Sequence, residues 1–199
     1  HYAVHTPIQA PEELADKYRQ KIRDQGIPAG GPGSDRDVAV DNTGQYKTVQ
    51  NNAVYAGMVE SVDSNLGRIV ERLGELGLAE NTVLILSSDH GGLSSRGLES
   101  NRELATSNLP YRHGKGWLYD GGIRVPLIVR WPGKVEAGSV SDVQVTGTDH
   151  YPTLLELAGL DDSDVDGMPD WWEMLHYGFD PTVFLQESGA DAIPETDTD

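Results

Sequence analysis

The sequence predicts an α/β protein, and two adjacent segments carry that prediction. Residues 55–76 place apolar side chains at a helical period, and Gly77 follows as a residue suited to end a helix. Residues 81–87 are mostly apolar and are typical of a strand buried on both faces, as in a parallel sheet. A helix that leads into such a strand is half of a βαβ unit, which favours a layered α/β architecture.

The segments before this unit predict one helix and one long connection. Residues 11–24 predict a helix, because Pro11 suits its first turn and Gly26 follows its last residues. Residues 27–52 are rich in Gly, Asp and Asn, so they predict a long loop or a lid.

The segments after it predict a second strand and a short helix. Residues 123–131 predict a strand, and Pro126 within them indicates that it is irregular or lies near a sheet edge. Residues 152–158 predict a short helix that ends at Gly159.

Composition limits the function classes. The 199 residues can form one domain with a small appendage, and we predict a domain over residues 1–160 followed by an acidic segment over 161–199. The formal charge of −17 argues against nucleic-acid binding, which needs basic patches. The longest apolar runs, such as 83–86, are too short to cross a bilayer. There is no cysteine, so no disulfide can form.

Asp89 and His90 follow directly after the first predicted strand. Ligands of open α/β sheets gather beyond the carboxyl ends of strands, and Asp is a hard oxygen ligand for Ca²⁺ or Mg²⁺. Gly91 and Gly92 would let a backbone or a ligand approach closely. Taken alone, this segment is equally consistent with a turn that Asp89 caps.

Lys115 stands between Gly114 and Gly116 in a glycine-rich run that continues to Pro126. The glycines let the main chain bend, so the ammonium could reach inward as a compact charge for an anion. A lysine in such a loop is, by itself, most often an ordinary surface residue.

Together, the two segments resemble the sulfatase family of the alkaline-phosphatase-like superfamily. That family carries Ser-Asp-(Asn/His)-Gly upstream of Gly-Lys-x-x-x-Tyr-(Glu/Asp)-Gly-Gly-x-Arg-x-Pro, and the chain matches both, from Ser88 to Gly91 and from Gly114 to Pro126. The similarity extends over residues 1–160. It implies the C-terminal part of a catalytic domain, with a mixed or parallel sheet flanked by helices.

The resemblance also implies roles for individual residues. Asp89 and His90 would be two ligands of a single divalent cation, usually calcium. Lys115 would contact a sulfate oxygen, and His5, in a His-x-Pro segment, would meet the sulfate ester, so both are candidate catalytic and substrate-binding residues. A cation and a lysine stabilise the charge that builds up as the ester is cleaved, and an imidazole can protonate the departing alkoxide. His113 falls at a variable position and is expected to be an ordinary residue.

Two parts of the family pattern are missing from these 199 residues. One is the Cys/Ser-x-Pro-x-Arg motif whose Cys or Ser becomes the nucleophilic formylglycine; the other is an early Asp-Asp pair that completes the metal site. The segment from Asn108 to Arg112 looks similar to the first, but Asn cannot be converted. Because the chain also begins at His1 without Met, we expect a fragment of a sulfatase that is inactive alone.

The acidic segment contains a match to the twelve-residue calcium loop over residues 162–173. Gly167 stands at the sixth position, where the loop turns sharply, and Pro169 at the eighth lacks the N–H that pairing with a second loop would use. The predicted ligands are Asp162, Asp164, Asp166, Met168 through its carbonyl, Asp170 and Glu173. The segment resembles EF-hand-like calcium-binding repeats near the C-termini of secreted bacterial proteins; the alternative is an ordinary acidic linker.

These features lead to a secreted or periplasmic sulfatase as the first interpretation. Its partner would be a sulfated carbohydrate or another sulfate ester, and the acidic tail could serve extracellular attachment. Two alternatives remain. One is a phosphoester hydrolase of the same superfamily, against which the Gly114–Pro126 run weighs. The other is a non-catalytic calcium-binding remnant.

Overall fold

A computed structural model describes residues 3–30 and 37–159. The chain forms two compact units, His1–Ser139 and Val140–Asp199. The domain boundary predicted at residue 160 and the calcium loop over 162–173 lie outside the described residues, so both stay predictions. Among the helices that the structure describes, none has the length and apolar character needed to span a membrane.

Two helices form the main packed pair of the first unit. They are α1 (Glu12–Asp24) and α2 (Ala53–Glu75), and they confirm the predicted helices to within two residues at either end. Ala15 and Met58 are buried between them. Gly57 allows the two helices to approach closely, because a Cβ there would lie 3.2 Å from the Cβ of Leu14 and 3.4 Å from the main-chain nitrogen of Ala15, both in α1.

The segment 27–52 is not simply a loop, because its described part contains two short strands. They are β1 (Val38–Val40) and β2 (Gln45–Lys47), which pair antiparallel, and β4 (Ser95–Arg96) pairs antiparallel with the other edge of β2. The polar residues that suggested a loop form the turn of this hairpin, where Asp41 Oδ1 accepts a hydrogen bond from the Gly44 N–H over 3.0 Å.

The second sheet differs from the predicted parallel arrangement. Its strands are β3 (Leu84–Ser87) and β5 (Leu127–Arg130), which pair antiparallel. The prediction that β3 is buried on both faces is wrong for the described chain. Its residues alternate between half-buried and exposed, and Ile85 is 37% exposed. Within the described elements β3 packs against β5 and against no helix. The observed class is mixed α/β, with small antiparallel sheets and helices.

The predicted strand over residues 123–131 is shorter than expected. Asp120–Ile123 form a short helix, α3, and extended pairing begins only at Leu127, after Pro126. Proline has no N–H to donate to a neighbouring strand, which explains why the strand starts beyond it. The strand predicted over residues 81–87 also starts later than expected, at Leu84, and Ala79–Asn81 form a 3₁₀ turn before it.

The described part of the second unit is a capped helix. A 3₁₀ turn at Gly147–Asp149 leads into α4 (His150–Ala158), and Gly159 ends it with φ +67°, as predicted. Asp149 Oδ2 accepts hydrogen bonds from the N–H and the hydroxyl of Thr146 over 2.6 and 3.1 Å. These bonds hold the pKa of Asp149 below its ordinary value.

Candidate functional site

Asp89 and His90 lie side by side just beyond the end of β3. His90 Nε2 is 3.0 Å from Asp89 Oδ2, and His90 Nδ1 is 3.1 Å from the carbonyl oxygen of Gly91. The Asp89 side chain is 82% exposed and that of His90 is 34% exposed. A carboxylate and an imidazole are therefore adjacent and accessible from solvent.

These two groups have the chemistry of metal ligands but do not complete a metal site. Calcium takes about six to eight oxygen ligands. Over residues 3–30 and 37–159, no group of three or more His, Cys, Asp or Glu is placed to hold a metal ion. Asp89 and His90 can thus supply two ligands, and the others would have to come from elsewhere than this part of the chain.

Lys115 is joined to the Asp89–His90 segment through the main chain. Its N–H donates a hydrogen bond to the Gly92 carbonyl over 3.1 Å, and the Gly91 N–H donates to the Gly122 carbonyl over 2.8 Å. The residue is half-buried. Within the described ranges its ammonium has no hydrogen-bond or ion-pair partner. The two motifs that the sequence singled out are therefore direct neighbours.

Glycines make this approach of the two segments possible. A Cβ at Gly91 would lie 1.7 Å from the carbonyl oxygen of Gly121, and a Cβ at Gly114 would lie 2.2 Å from that of Gly92. The same crowding occurs at Gly122, where the nearest atom, again a main-chain oxygen, would be 1.9 Å away. The close approach expected at Gly91 and Gly92 is confirmed: at Gly91 another main chain occupies the space of a side chain, and at Gly92 the side chains of Thr106 and Asn108 do so.

Asn108 lies where these segments meet, and sequence analysis considered it only as the start of a segment that looks similar to the nucleophile motif. Its Nδ2 lies 3.1, 3.1 and 2.9 Å from the carbonyl oxygens of Gly92, His113 and Gly121, and its two hydrogens are shared among these three acceptors. Three acceptors that are distant from one another along the chain converge on one amide. Only the folded structure could show this.

His113 is not the ordinary residue that its variable position suggested. It is buried, it has a positive φ of 55°, and its ring stacks on Trp117 and Tyr119 at centroid distances of 4.5 and 5.3 Å. Its Nε2 lies 2.7 Å from Thr43 Oγ1 and 3.3 Å from Asp41 Oδ2. The ring therefore anchors the start of the Lys115 loop to the β1–β2 turn, a contact that local sequence does not encode.

Asp41 stabilises the same turn from the other side. Its Oδ1 accepts hydrogen bonds from the Thr43 hydroxyl over 2.6 Å and from the Thr43 N–H over 2.8 Å. These bonds, with that from the Gly44 N–H, hold the pKa of Asp41 well below its ordinary value. The carboxylate is thus ionised where it faces His113.

His5 is not joined to the other predicted site residues. It is exposed, and its Nδ1 lies 2.8 Å from the carbonyl oxygen of its neighbour Thr6. In the described part of the chain it makes no hydrogen bond or ion pair with Asp89, His90 or Lys115. Its assignment rests on the resemblance alone.

An open groove of about 290 Å³ lies beside the Gly91–Gly92 turn. The Arg124 guanidinium and the Tyr111 ring both line it, and the guanidinium carbon is 4.9 Å from the centroid of that ring. Its volume is close to the lower end of the range for small-molecule sites. The groove borders Gly91, Gly92 and Asn108, and its lining does not include Asp89, His90 or Lys115.

Comparison with known proteins identifies the family. The family model described as Sulfatase matches residues 2–160. A sulfatase of Formosa agariphila is 40% identical over 116 residues, which cover 54% of this chain and 19% of that protein. A steryl-sulfatase of Rattus norvegicus is 39% identical over 105 residues, covering 53% of this chain and 18% of that protein.

A solved structure agrees with these relatives. The crystal structure of Ps i-CgsB in complex with k-i-k-neocarrahexaose is 30% identical, with a TM-score of 0.58, and the match covers 87% of this chain and 32% of that one. The chain thus spans about a fifth of the first relatives and a third of this structure. Because the family model matches most of its length and includes both motifs, the chain belongs to the sulfatase family.

Proposed function

We propose that this chain contributes part of the active site of a hydrolase of sulfate esters. One observation carries the proposal: the Lys115 N–H donates to the Gly92 carbonyl over 3.1 Å. This bond holds the loop around Lys115, the lysine loop, against the Asp89–His90 segment. Sulfate ester cleavage needs positive charge and polar donors close together around the oxygens of one group. The membership of residues 2–160 in the sulfatase family supports the same reaction.

Lys115 would stabilise the negative charge that develops on the sulfate oxygens. Its ammonium has no partner within the described residues, and its half-buried position keeps part of the solvent away. A charge in such a partly desolvated site interacts more strongly with an anion than it would in bulk water. Gly114 packs closely against the carbonyl oxygen of Gly92, where a Cβ would lie 2.2 Å away, and the Lys115 side chain remains free to reach the substrate.

Asp89 and His90 would provide two ligands of a divalent cation, for which we propose Ca²⁺. The exposed carboxylate is a suitable ligand for a hard cation. When bound, such a cation supplies positive charge that polarises the ester. The other ligands would come from residues that this structure does not describe.

His5 and a formylglycine complete the proposed site. The imidazole of His5 would bind the sulfate ester and donate a proton to the departing alkoxide; its exposure allows contact with a substrate. The formylglycine would be supplied from outside these 199 residues, which contain no Cys/Ser-x-Pro-x-Arg motif. The chain by itself is therefore proposed to be inactive.

The proposed substrate is a sulfated carbohydrate or another sulfate ester. The structural relative crystallised with k-i-k-neocarrahexaose supports the first class, and the steryl-sulfatase supports the second. We also propose that residues 162–173 bind a second Ca²⁺ and that the protein is secreted or periplasmic, where calcium is plentiful, with the acidic tail available for attachment. The carboxylate spacing of that segment supports the calcium loop.

The decisive experiment compares aryl sulfate with aryl phosphate as substrates for the full-length protein that carries this chain. Sulfate turnover should exceed phosphate turnover, and Lys115→Ala should lower kcat by about two orders of magnitude or more. Lys134→Ala is the matched control, since Lys134 is exposed and lies outside both motifs. A preference for the phosphate ester would instead indicate a phosphoester hydrolase, and unchanged kinetics for Lys115→Ala would remove this lysine from the site.

A further inference from the structure

Asn108 belongs to neither motif, yet it contacts the segments that carry both. Its Nδ2 lies 3.1 Å from the carbonyl oxygen of Gly92, just after the Asp89–His90 pair. The same nitrogen lies 3.1 Å from the carbonyl oxygen of His113, just before Lys115. We propose that Asn108 is a positioning residue, which sets the Lys115 ammonium relative to the two proposed cation ligands. The proposal rests on the function proposed above.

The surroundings of the side chain require a hydrogen-bond donor at this position. A third carbonyl oxygen, that of Gly121, lies 2.9 Å from the same nitrogen. All three neighbours accept hydrogen bonds, so the group between them has to be a donor, and the amide nitrogen has two hydrogens and no acceptor role. This convergence also fixes which end of the amide faces the three carbonyls.

The direct bonds between the two segments are few. The Lys115 N–H donates to the carbonyl of Gly92, which is also an acceptor for Asn108. The Gly91 N–H donates to the carbonyl of Gly122. The two hydrogens of Asn108 Nδ2 are shared among three carbonyl oxygens around these bonds, two of them near the ends of the loop that carries Lys115. The carbonyl of His113 also accepts a hydrogen bond from Ser94 Oγ over 2.8 Å. Without its donor, the loop would keep its sequence and its charge but lose its fixed distance from Asp89 and His90.

The first arm of the test is kinetic and uses the full-length protein. Asn108→Asp has almost the same shape but replaces the donor with a charged acceptor. It should lower kcat for an aryl sulfate by about tenfold to a hundredfold, because small displacements of a charge-stabilising group are costly, while KM changes less. Asn65→Asp is the matched control, since Asn65 is exposed on α2 and, among the described residues, its side chain bonds only to Ser61 and Arg68 of the same helix. Asn108→Ser keeps one hydroxyl donor and should give a smaller loss.

The second arm measures amide hydrogen exchange and does not depend on turnover. In Asn108→Asp and Asn108→Ser, exchange at the N–H groups of Lys115 and Gly91 should become faster than in the wild type, whereas amides of α2 keep their rates. Unchanged exchange at both groups would overturn the proposal, as would an equal increase throughout α2, which would indicate a general loss of stability.

The two arms separate this proposal from the proposed function. A wild-type protein that does not hydrolyse aryl sulfate would remove the function, and the exchange rates would still decide whether Asn108 holds the two segments together. An active wild type with unchanged kcat in Asn108→Asp would keep the function and remove the positioning role.

Discussion

His113 Nε2 lies 2.7 Å from Thr43 Oγ1, although 70 positions separate the two residues in the chain. The bond connects the loop that carries Lys115 to the turn between β1 and β2. The imidazole ring stacks on Trp117 at 4.5 Å, so it is fixed on one side by an aromatic face and at its edge by a hydroxyl. The lysine loop therefore has a rigid starting point.

Replacement of His113 by alanine should destabilise the protein. The change removes a buried ring, its stacking on Trp117 and its hydrogen bond to Thr43, and we expect the free energy of unfolding to fall by about 2–4 kcal/mol. Urea unfolding followed by tryptophan fluorescence measures this. His5→Ala is the control, because His5 is exposed, and it should change the free energy by less than about 0.5 kcal/mol. Equal effects of the two variants would contradict the structural role of His113.

The Asp41 carboxylate should contribute a pH-dependent part of the stability. Its pKa is lowered from the ordinary 3.8, chiefly by the hydrogen bond from the Thr43 hydroxyl. A carboxylate with a depressed folded-state pKa stabilises the protein above its unfolded-state pKa, and this stabilisation is lost as the pH falls below that value. Asp41→Asn should therefore be less stable than the wild type at neutral pH, and the difference should shrink between about pH 4 and pH 2.

Urea unfolding of both proteins across that range gives the measurement. Thr43→Val removes the largest cause of the lowered pKa of Asp41, so its acid-dependent loss of stability should be smaller than in the wild type and should be complete at a higher pH. A constant difference between wild type and Asp41→Asn at all pH values would show that the carboxylate charge is not responsible.

A methyl group should be tolerated very differently at two glycines. At Gly121 a Cβ would lie 2.0 Å from the carbonyl oxygen of His113, which is main chain and cannot move aside cheaply. We expect Gly121→Ala to lower the free energy of unfolding by about 1–3 kcal/mol or more. At Gly67, within α2, nothing lies within 4 Å, so Gly67→Ala should raise it by about 0.5–1 kcal/mol through better helix propensity. Chemical denaturation of the two variants tests the difference in sign.

The calcium loop can be tested by calorimetric titration of the chain with Ca²⁺. Wild type should show saturable binding at or below millimolar calcium, and Asp162→Ala and Glu173→Ala should each weaken it, because they remove the first and last ligands of the loop. Asp191→Ala removes an acid of the same tail beyond the loop and should leave binding unchanged. Equal weakening by all three substitutions would indicate nonspecific attraction to an acidic tail.

The helices were predictable because their signals are local. The apolar period over residues 55–76 and the following Gly77 predicted α2 and its end, and Gly159 did the same for α4. Helical hydrogen bonds join residues four apart, so a short window of sequence contains the information for them.

The strands were less predictable because their pairing and burial depend on residues that are distant along the chain. The apolar run over residues 81–87 indicated a strand correctly, but its exposed Ile85 and its antiparallel partner β5 depend on residues some forty positions away. Sequence pattern reports how apolar a strand is, and it does not report which layers cover it.

The sequence by itself determined the family, the positions of α1, α2 and α4, and the two motifs around Asp89 and Lys115, because each is written in consecutive residues. Only the tertiary structure decided that these motifs touch, through the Lys115 N–H and the Gly92 carbonyl, and that Asn108 and His113 hold them there. The physical reason is that hydrogen bonds between distant segments depend on how the main chain is placed in space. Glycines without side chains allow that approach but do not specify its partner.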